Sequence, residues 1–155
     1  MGAEIERKFL VDREKWEQLN KPKGTHYRQG YILNNEQQTV RVRISDKQGF
    51  LNLKSKVSQI TRKEYEYEIP LEDGIEILDV FAKSGTEKIR YRIPIAGKVW
   101  EVDEFLGDNK GLIVAEIELK SEAEEFEAPN WVTDEVTDDG RYTNASLSLI
   151  PYNSW

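Results

Sequence analysis

Apolar and polar residues alternate with a period of two in many short segments, the pattern of an antiparallel β-protein whose strands each bury one face. Eight strands are expected, near 3–10, 25–33, 39–46, 50–57, 61–69, 86–95, 98–106 and 112–120. Turn-like clusters separate them: Asn34-Asn35-Glu36, Asp46-Lys47-Gln48-Gly49, Ala96-Gly97-Lys98 and Gly107-Asp108-Asn109-Lys110-Gly111. These connections suit hairpins and a meander. Helical spacing appears in between. Residues 12–19 begin with the N-cap Asp12 and set Trp16 and Leu19 on one face. Residues 72–84 align Ile75, Leu78, Phe81 and Ala82 and stop before Gly85. Ser121 and Glu124 have capping-box spacing for a short helix ending at Pro129, and a last short helix is expected near 143–150.

The alternation sorts charge onto one face. Glu4, Glu6 and Lys8 oppose Ile5 and Phe9, with Arg7 as the exception; Arg41 and Arg43 oppose Val40, Val42 and Ile44; Lys54 and Lys56 oppose Leu51 and Leu53. Arg62, Glu64, Glu66 and Glu68 oppose Tyr65, Tyr67 and Ile69, and Lys88, Arg90 and Arg92 oppose Ile89, Tyr91 and Ile93. Glu101 and Asp103 oppose Trp100 and Val102, and Glu116, Glu118 and Lys120 oppose Ile113, Ala115, Ile117 and Leu119. The second strand is ambiguous, with Tyr27, Gln29 and Tyr31 on one side and His26, Arg28 and Gly30 on the other. For any one strand, a charged face that simply meets water is an adequate account. Across seven strands, like charges two apart call for an opposite charge, a metal or an anion between them. An eight-stranded closed barrel provides that interior, with the apolar faces outward under helices, so a mainly β α+β architecture is expected.

Composition narrows the chemistry. The 155 residues are expected to form a single domain, residues 1–155, and no apolar run approaches a membrane span, so a cytoplasmic protein is expected. With no cysteine, thiolate catalysis and cysteine-bound zinc are excluded. His26 is the sole histidine and reads as a structural residue. A net charge of −7 disfavours duplex nucleic acid, whereas a small anion remains suited to gathered basic groups. If the first and last strands approach, Glu4, Glu6, Glu116 and Glu118 form an oxygen-only cluster for a hard cation, Mg²⁺ or Mn²⁺. Arg41, Arg43, Lys54, Lys88 and Arg90 form a basic cluster suited to phosphate oxygens. No glycine-rich phosphate loop occurs, so binding must rest on side chains.

Glu4-Ile5-Glu6-Arg7-Lys8 resembles the ExExK signature of the CYTH superfamily, the triphosphate tunnel metalloenzymes. The resemblance extends through Arg28-Gln29-Gly30-Tyr31, Arg41-Val42-Arg43, Leu53-Lys54-Ser55, Arg62-Lys63-Glu64-Tyr65-Glu66, Glu87-Lys88-Ile89-Arg90-Tyr91, Glu101-Val102-Asp103, Glu116-Ile117-Glu118 and Arg141-Tyr142-Thr143-Asn144, in the family's order. It implies an eight-stranded antiparallel tunnel. It further implies metal ligation by Glu4, Glu6, Glu116 and Glu118, with Glu116 and Glu118 helping to place the attacking water. Triphosphate binding is implied for Lys8, Arg41, Arg43, Lys54, Lys88 and Arg90, and closure of the tunnel for Arg141. Tyr31 matches a tyrosine that lies beside the first-strand lysine in the short bacterial branch and is implicated in catalysis. A Lys8 ammonium so placed would lower the Tyr31 pKa. Glu64, Glu66, Glu101 and Asp103 would hold basic side chains in place.

The superfamily also contains thiamine triphosphatases and class IV adenylyl cyclases, so the fold alone does not choose the reaction. The short chain and the Arg-Gln-Gly-Tyr segment look most like the small bacterial tripolyphosphatases. A non-catalytic polyphosphate or nucleotide binding module is the alternative of another class. The retained carboxylates argue against it, because an anion binder gains nothing from acidic groups facing its ligand unless metal bridges them.

Overall fold

The computed structural model describes residues 5–57 and 62–155. Among these, nine strands form one antiparallel sheet: β1 (Ile5–Val11), β2 (Thr25–Asn34), β3 (Gln38–Ile44), β4 (Gly49–Lys56), β5 (Arg62–Ile69), β6 (Ser84–Ile95), β7 (Lys98–Phe105), β8 (Ile113–Leu119) and β9 (Val132–Glu135). Their order is β5-β4-β3-β2-β6-β7-β8-β1-β9. Three helices accompany the sheet: α1 (Arg13–Gln18), α2 (Leu71–Phe81) and α3 (Asn144–Leu149). None is long and apolar enough to cross a membrane.

All eight expected strands are present, and β9 is additional. It is four residues long, too short for alternation to announce it, and it pairs Phe9 with Glu135 and Val11 with Val132. Thus β1 carries ladders on both edges, to β8 and to β9. Among the described residues the hydrogen-bonded order is open, with β5 and β9 at its ends.

The outer face holds the larger core. Phe9, Ile93, Trp100, Val102, Ala115, Ile117 and Leu119 pack there with Trp16 of α1 and with Trp131. Trp16 and Trp100 are almost wholly buried, and each meets the Trp131 ring edge-on at 5.3 and 6.0 Å. Truncating either ring to alanine would cost about 3–5 kcal/mol. The Asp12 carboxylate accepts from Lys15 N at 3.1 Å, capping α1 as expected. Farther along the same outer face, α2 covers β2, β3 and β4. It approaches so closely that a Cβ on Gly30 would stand 2.7 Å from Leu78 Cδ2 and 2.8 Å from Ala82 Cβ, which explains glycine there. The helix ends at Phe81, earlier than expected, because Lys83 N donates to Tyr31 O at 2.9 Å and Ser84 already pairs with Tyr31 in β6.

Two expectations about helices are corrected. Ser121 to Pro129 is not helical: Glu124 N donates to Ser121 O, the Glu124 side chain reaches back to Lys120 N, and one turn results. The chain then runs extended, carrying Phe126 onto the Phe9 and Trp100 rings. The second correction concerns α3, which was expected outside with the others. It lies on the charged face, because that face becomes apolar at one end: Leu10, Phe105 and Val114 pack there against Tyr142 and Leu147. The Thr143 hydroxyl caps α3 by accepting from Ser146 N at 3.2 Å. Asn34 Nδ2 donates to Ala145 O, and Ser84 and Ser148 hydrogen-bond through their hydroxyls, tying the helix to β2 and β6.

Candidate active site

Directly opposed residues in an antiparallel ladder share a face, so the register assembles the ionic surface row by row. Arg92, Glu101, Glu116 and Lys8 follow one another across β6, β7, β8 and β1. Glu6 stands opposite Glu118 in the neighbouring row. At the far side, Glu66, Asn52, Arg41 and Tyr31 cross β5, β4, β3 and β2, and Glu68, Phe50, Arg43 and Gln29 run beside them. The ambiguous second strand is thereby resolved. Tyr27, Gln29 and Tyr31 face the charges, while Arg28 turns outward to Asp79 of α2 and His26 to Glu87.

Arg41 and Arg43 form the centre of the basic side. The Nε of each is buried with no hydrogen-bond partner, a costly condition for a guanidinium unless an acceptor is meant to arrive. The Arg43 guanidinium lies 5.0 Å from the Tyr27 ring centre and 5.8 Å from that of Phe50, with Glu66 at 3.7 Å. Burial and then the Arg41 charge pull its pKa down. Tyr31 is buried beside Arg41, not placed under the control of Lys8. Burial raises its pKa, and the Arg41 charge and hydrogen bond oppose without reversing this, so the expected lowering by Lys8 is replaced by a rise.

A buried salt-bridge network fixes the next two cations. Lys88 Nζ lies 2.8 Å from Asp103 Oδ2, and Arg90 takes both Asp103 oxygens through Nε at 2.7 Å and Nη2 at 2.9 Å. Arg90 Nη1 also donates to Glu101 at 3.0 Å. Burial pushes the Asp103 carboxyl up, but the Lys88 charge and the Arg90 hydrogen bonds outweigh it and hold the group well below the usual carboxylate range. Lys54 is more exposed, 3.9 Å from Glu64, which also accepts from Asn52 Nδ2 at 2.8 Å. Glu64, Glu66, Glu101 and Asp103 thus hold basic groups, as the sequence implied.

The acidic side gathers Glu6, Glu116 and Glu118; Glu4 lies outside the described residues. Lys8 Nζ stands 3.7 Å from Glu116 and donates to Tyr142 O at 3.3 Å. Among the described residues no three carboxylates converge closely enough to hold a metal unaided. The donor set still fits a hard cation, since Glu6 and Glu118 are directly opposed like charges and all the donors are oxygen.

Arg141 is not brought to this group. Asp139 holds its guanidinium at 2.7 and 3.0 Å, and it lies over the Trp155 ring at 4.7 Å. The same segment instead sends the Tyr142 carbonyl to Lys8 and the Asn144 carboxamide to Lys88, the latter at 3.1 Å. The sequence reading assigned these two no role, although both belong to the Arg141-Tyr142-Thr143-Asn144 motif. It also missed Tyr27 and Phe50, for which an aromatic residue on the charged face of a strand was the available signal.

The CYTH domain model matches residues 2–151. An inorganic triphosphatase of Acetivibrio thermocellus is 46% identical over 156 residues, covering 100% of this chain and 99% of that protein. An inorganic triphosphatase of Nitrosomonas europaea is 34% identical, covering 95% and 97%. A crystal structure of an inorganic triphosphatase superposes with a TM-score of 0.73 at 32% identity, covering 96% of each chain. On a match that spans nearly its whole length and is joined to the register just described, this chain belongs to the CYTH domain family.

Proposed function

We propose that this chain is an inorganic triphosphatase that hydrolyses tripolyphosphate with Mg²⁺ or Mn²⁺. The observation that carries the reading is the pair of buried, unpartnered Nε groups of Arg41 and Arg43 on the charged face of the sheet that also bears the opposed carboxylates Glu6 and Glu118. Such a face accepts a ligand that is polyanionic on one side and metal-bridged on the other. The names of the relatives, at 46% and 34% identity over nearly full length, support the same substrate.

In this reading Lys8, Arg41, Arg43, Lys54, Lys88 and Arg90 bind the phosphate oxygens, arginine by bidentate contacts and lysine as a point charge. Glu4, Glu6, Glu116 and Glu118 hold the divalent cation, which supplies Lewis-acid polarisation and neutralises charge developing on the transferred phosphoryl group. Glu116, 3.7 Å from Lys8, orients the attacking water. Tyr31, kept protonated by burial, donates to a phosphate oxygen and does not serve as a base. The ends of the sheet at β5 and β9 curve round to enclose the ligand as a tunnel, and α3 stops one end. Duplex nucleic acid and membranes are not partners of such a site.

Phosphate release from tripolyphosphate, ATP and thiamine triphosphate, assayed separately with Mg²⁺, with Mn²⁺ and in excess chelator, tests the proposal. The expected result is metal-dependent release, fastest from tripolyphosphate. Full turnover in chelator would overturn the metal assignment, and no release from any triphosphate would overturn the hydrolase.

A further inference from the structure

The first turn of α3 touches the ionic face at a point where the chemistry is constrained. Lys88 is buried, and its ammonium has three N–H donors and no acceptor. One donor goes to Asp103 Oδ2 at 2.8 Å and a second to Asn144 Oδ1 at 3.1 Å, with the Phe105 ring centre 5.6 Å away. Lys88 shares its Asp103 acceptor, because the same Oδ2 also accepts from Arg90 Nη2 at 2.9 Å. Asn144 is therefore the acceptor that Lys88 does not share with Arg90. Its own place is rigid. Thr143 caps the helix beside it, Tyr142 and Leu147 are buried on either flank, and the Ser84–Ser148 and Asn34–Ala145 contacts anchor α3 to β6 and β2.

We propose that Asn144 is a positioning residue for substrate binding: its carboxamide holds the Lys88 ammonium so that the remaining N–H is presented to the triphosphate. The proposal rests on the reading of Lys88 as a phosphate ligand. With two of three tetrahedral directions committed to protein acceptors, the third is set by geometry and not searched for when substrate arrives. Removing Asn144 leaves the charge in place but lets the ammonium turn toward Asp103. Loss of affinity is thus expected without loss of the reacting groups.

The test is steady-state hydrolysis of tripolyphosphate by the full chain with Mg²⁺. Asn144→Ala is expected to raise KM about tenfold with kcat within about twofold, the size of one hydrogen bond to a charged group. Asn144→Asp, which keeps an acceptor at the same reach, should restore KM to within about twofold. Should Asn144→Ala fail to fold, Asn144→Ser falls short of Lys88 and carries the same expectation. Thr143→Ala removes the cap that steadies Asn144 without removing its carboxamide, so it should lower Tm and raise KM by less than Asn144→Ala does. In a Lys88→Ala background, Asn144→Ala should add less than about twofold.

A wild-type KM for Asn144→Ala or full additivity with Lys88→Ala would each overturn the proposal while leaving the triphosphatase reading intact. A wild-type KM for Lys88→Ala would overturn the ligand assignment beneath it, and the proposal with it.

Discussion

Glu6 and Glu118 stand directly opposite each other across the β1–β8 ladder, with Glu116 two residues along β8. Both members of the pair are exposed, so water screens their repulsion to the low end of the roughly 0.2–1 kcal/mol typical of cross-strand pairs. A divalent cation between them reverses the sign. Saturating Mg²⁺ or Mn²⁺ should therefore raise the Tm of the wild-type chain. Glu118→Gln should abolish most of that rise and nearly all activity, while its metal-free Tm stays at or above wild type. Differential scanning fluorimetry with and without chelator checks this; an undiminished metal-induced rise in Glu118→Gln would remove the residue from the ligand set.

Tyr31 shows how burial changes a role that the sequence suggested. Its raised pKa, caused first by desolvation and only opposed by Arg41, keeps the hydroxyl protonated through neutral and moderately alkaline pH. The stability it contributes is present below the ordinary tyrosine value of about 10 and is lost as pH rises through the folded value. Tyr31→Phe should lower kcat by at least about tenfold, at the modest end of proton-transfer and donor effects. It should create no new limb in the rate profile between pH 7 and 9. Wild-type turnover by the variant across that range would dismiss the hydroxyl from catalysis.

Asp103 is the carboxylate whose loss should be felt most in stability. Its side chain is 3% exposed and serves both Lys88 and Arg90. Asp103→Asn would leave two buried cations short of charge, a cost of about 3–5 kcal/mol by analogy with broken buried pairs. The folded pKa is depressed, so the contribution is complete above the unfolded value of about 4 and fades as pH falls through the folded one. Urea denaturation should show a large gap between wild type and variant at pH 7 that narrows below pH 4. A gap independent of pH would locate the effect in packing.

Much of this was legible because alternation is local. Whether Glu116 or Ile117 faces the charges depends on the period-two rise of one strand, and so do the faces of Arg41, Arg43, Lys88 and Arg90. What the pattern could not supply is register. Glu6 meets Glu118, and Tyr31 meets Arg41 and not Lys8, through pairings between strands distant in sequence. The placement of α3 was hidden for a related reason: Val114 and Leu10 continue the charged faces of their strands with apolar residues, and only their assembly with Phe105 makes a seat for Leu147. Ser121 and Glu124 had the spacing of a helix start, but a capping signal needs an amphipathic stretch behind it, and Phe126 is committed to the tryptophan core instead.

Reaction type depends on what the ionic face offers a nucleoside. Cyclisation of ATP requires the ribose 3′-hydroxyl in line with the α-phosphorus, so the base and sugar must be held as firmly as the phosphates. Tyr27 and Phe50 bring aromatic rings to the ionic face, where a base could in principle stack. Both rings, however, receive the Arg43 guanidinium, at 5.0 and 5.8 Å. An adenine stacking there would have to displace a cation already positioned for phosphate, so the rings serve Arg43 and leave the base unheld. Phosphate release from tripolyphosphate should therefore exceed that from ATP, and no cyclic AMP should form. Phe50→Leu should weaken both substrates alike, by several-fold, through a loosened Arg43. Chromatographic separation of ATP products decides the outcome. Cyclic AMP with pyrophosphate would overturn the hydrolase reading, and a Phe50→Leu defect confined to ATP would show that the ring holds a base.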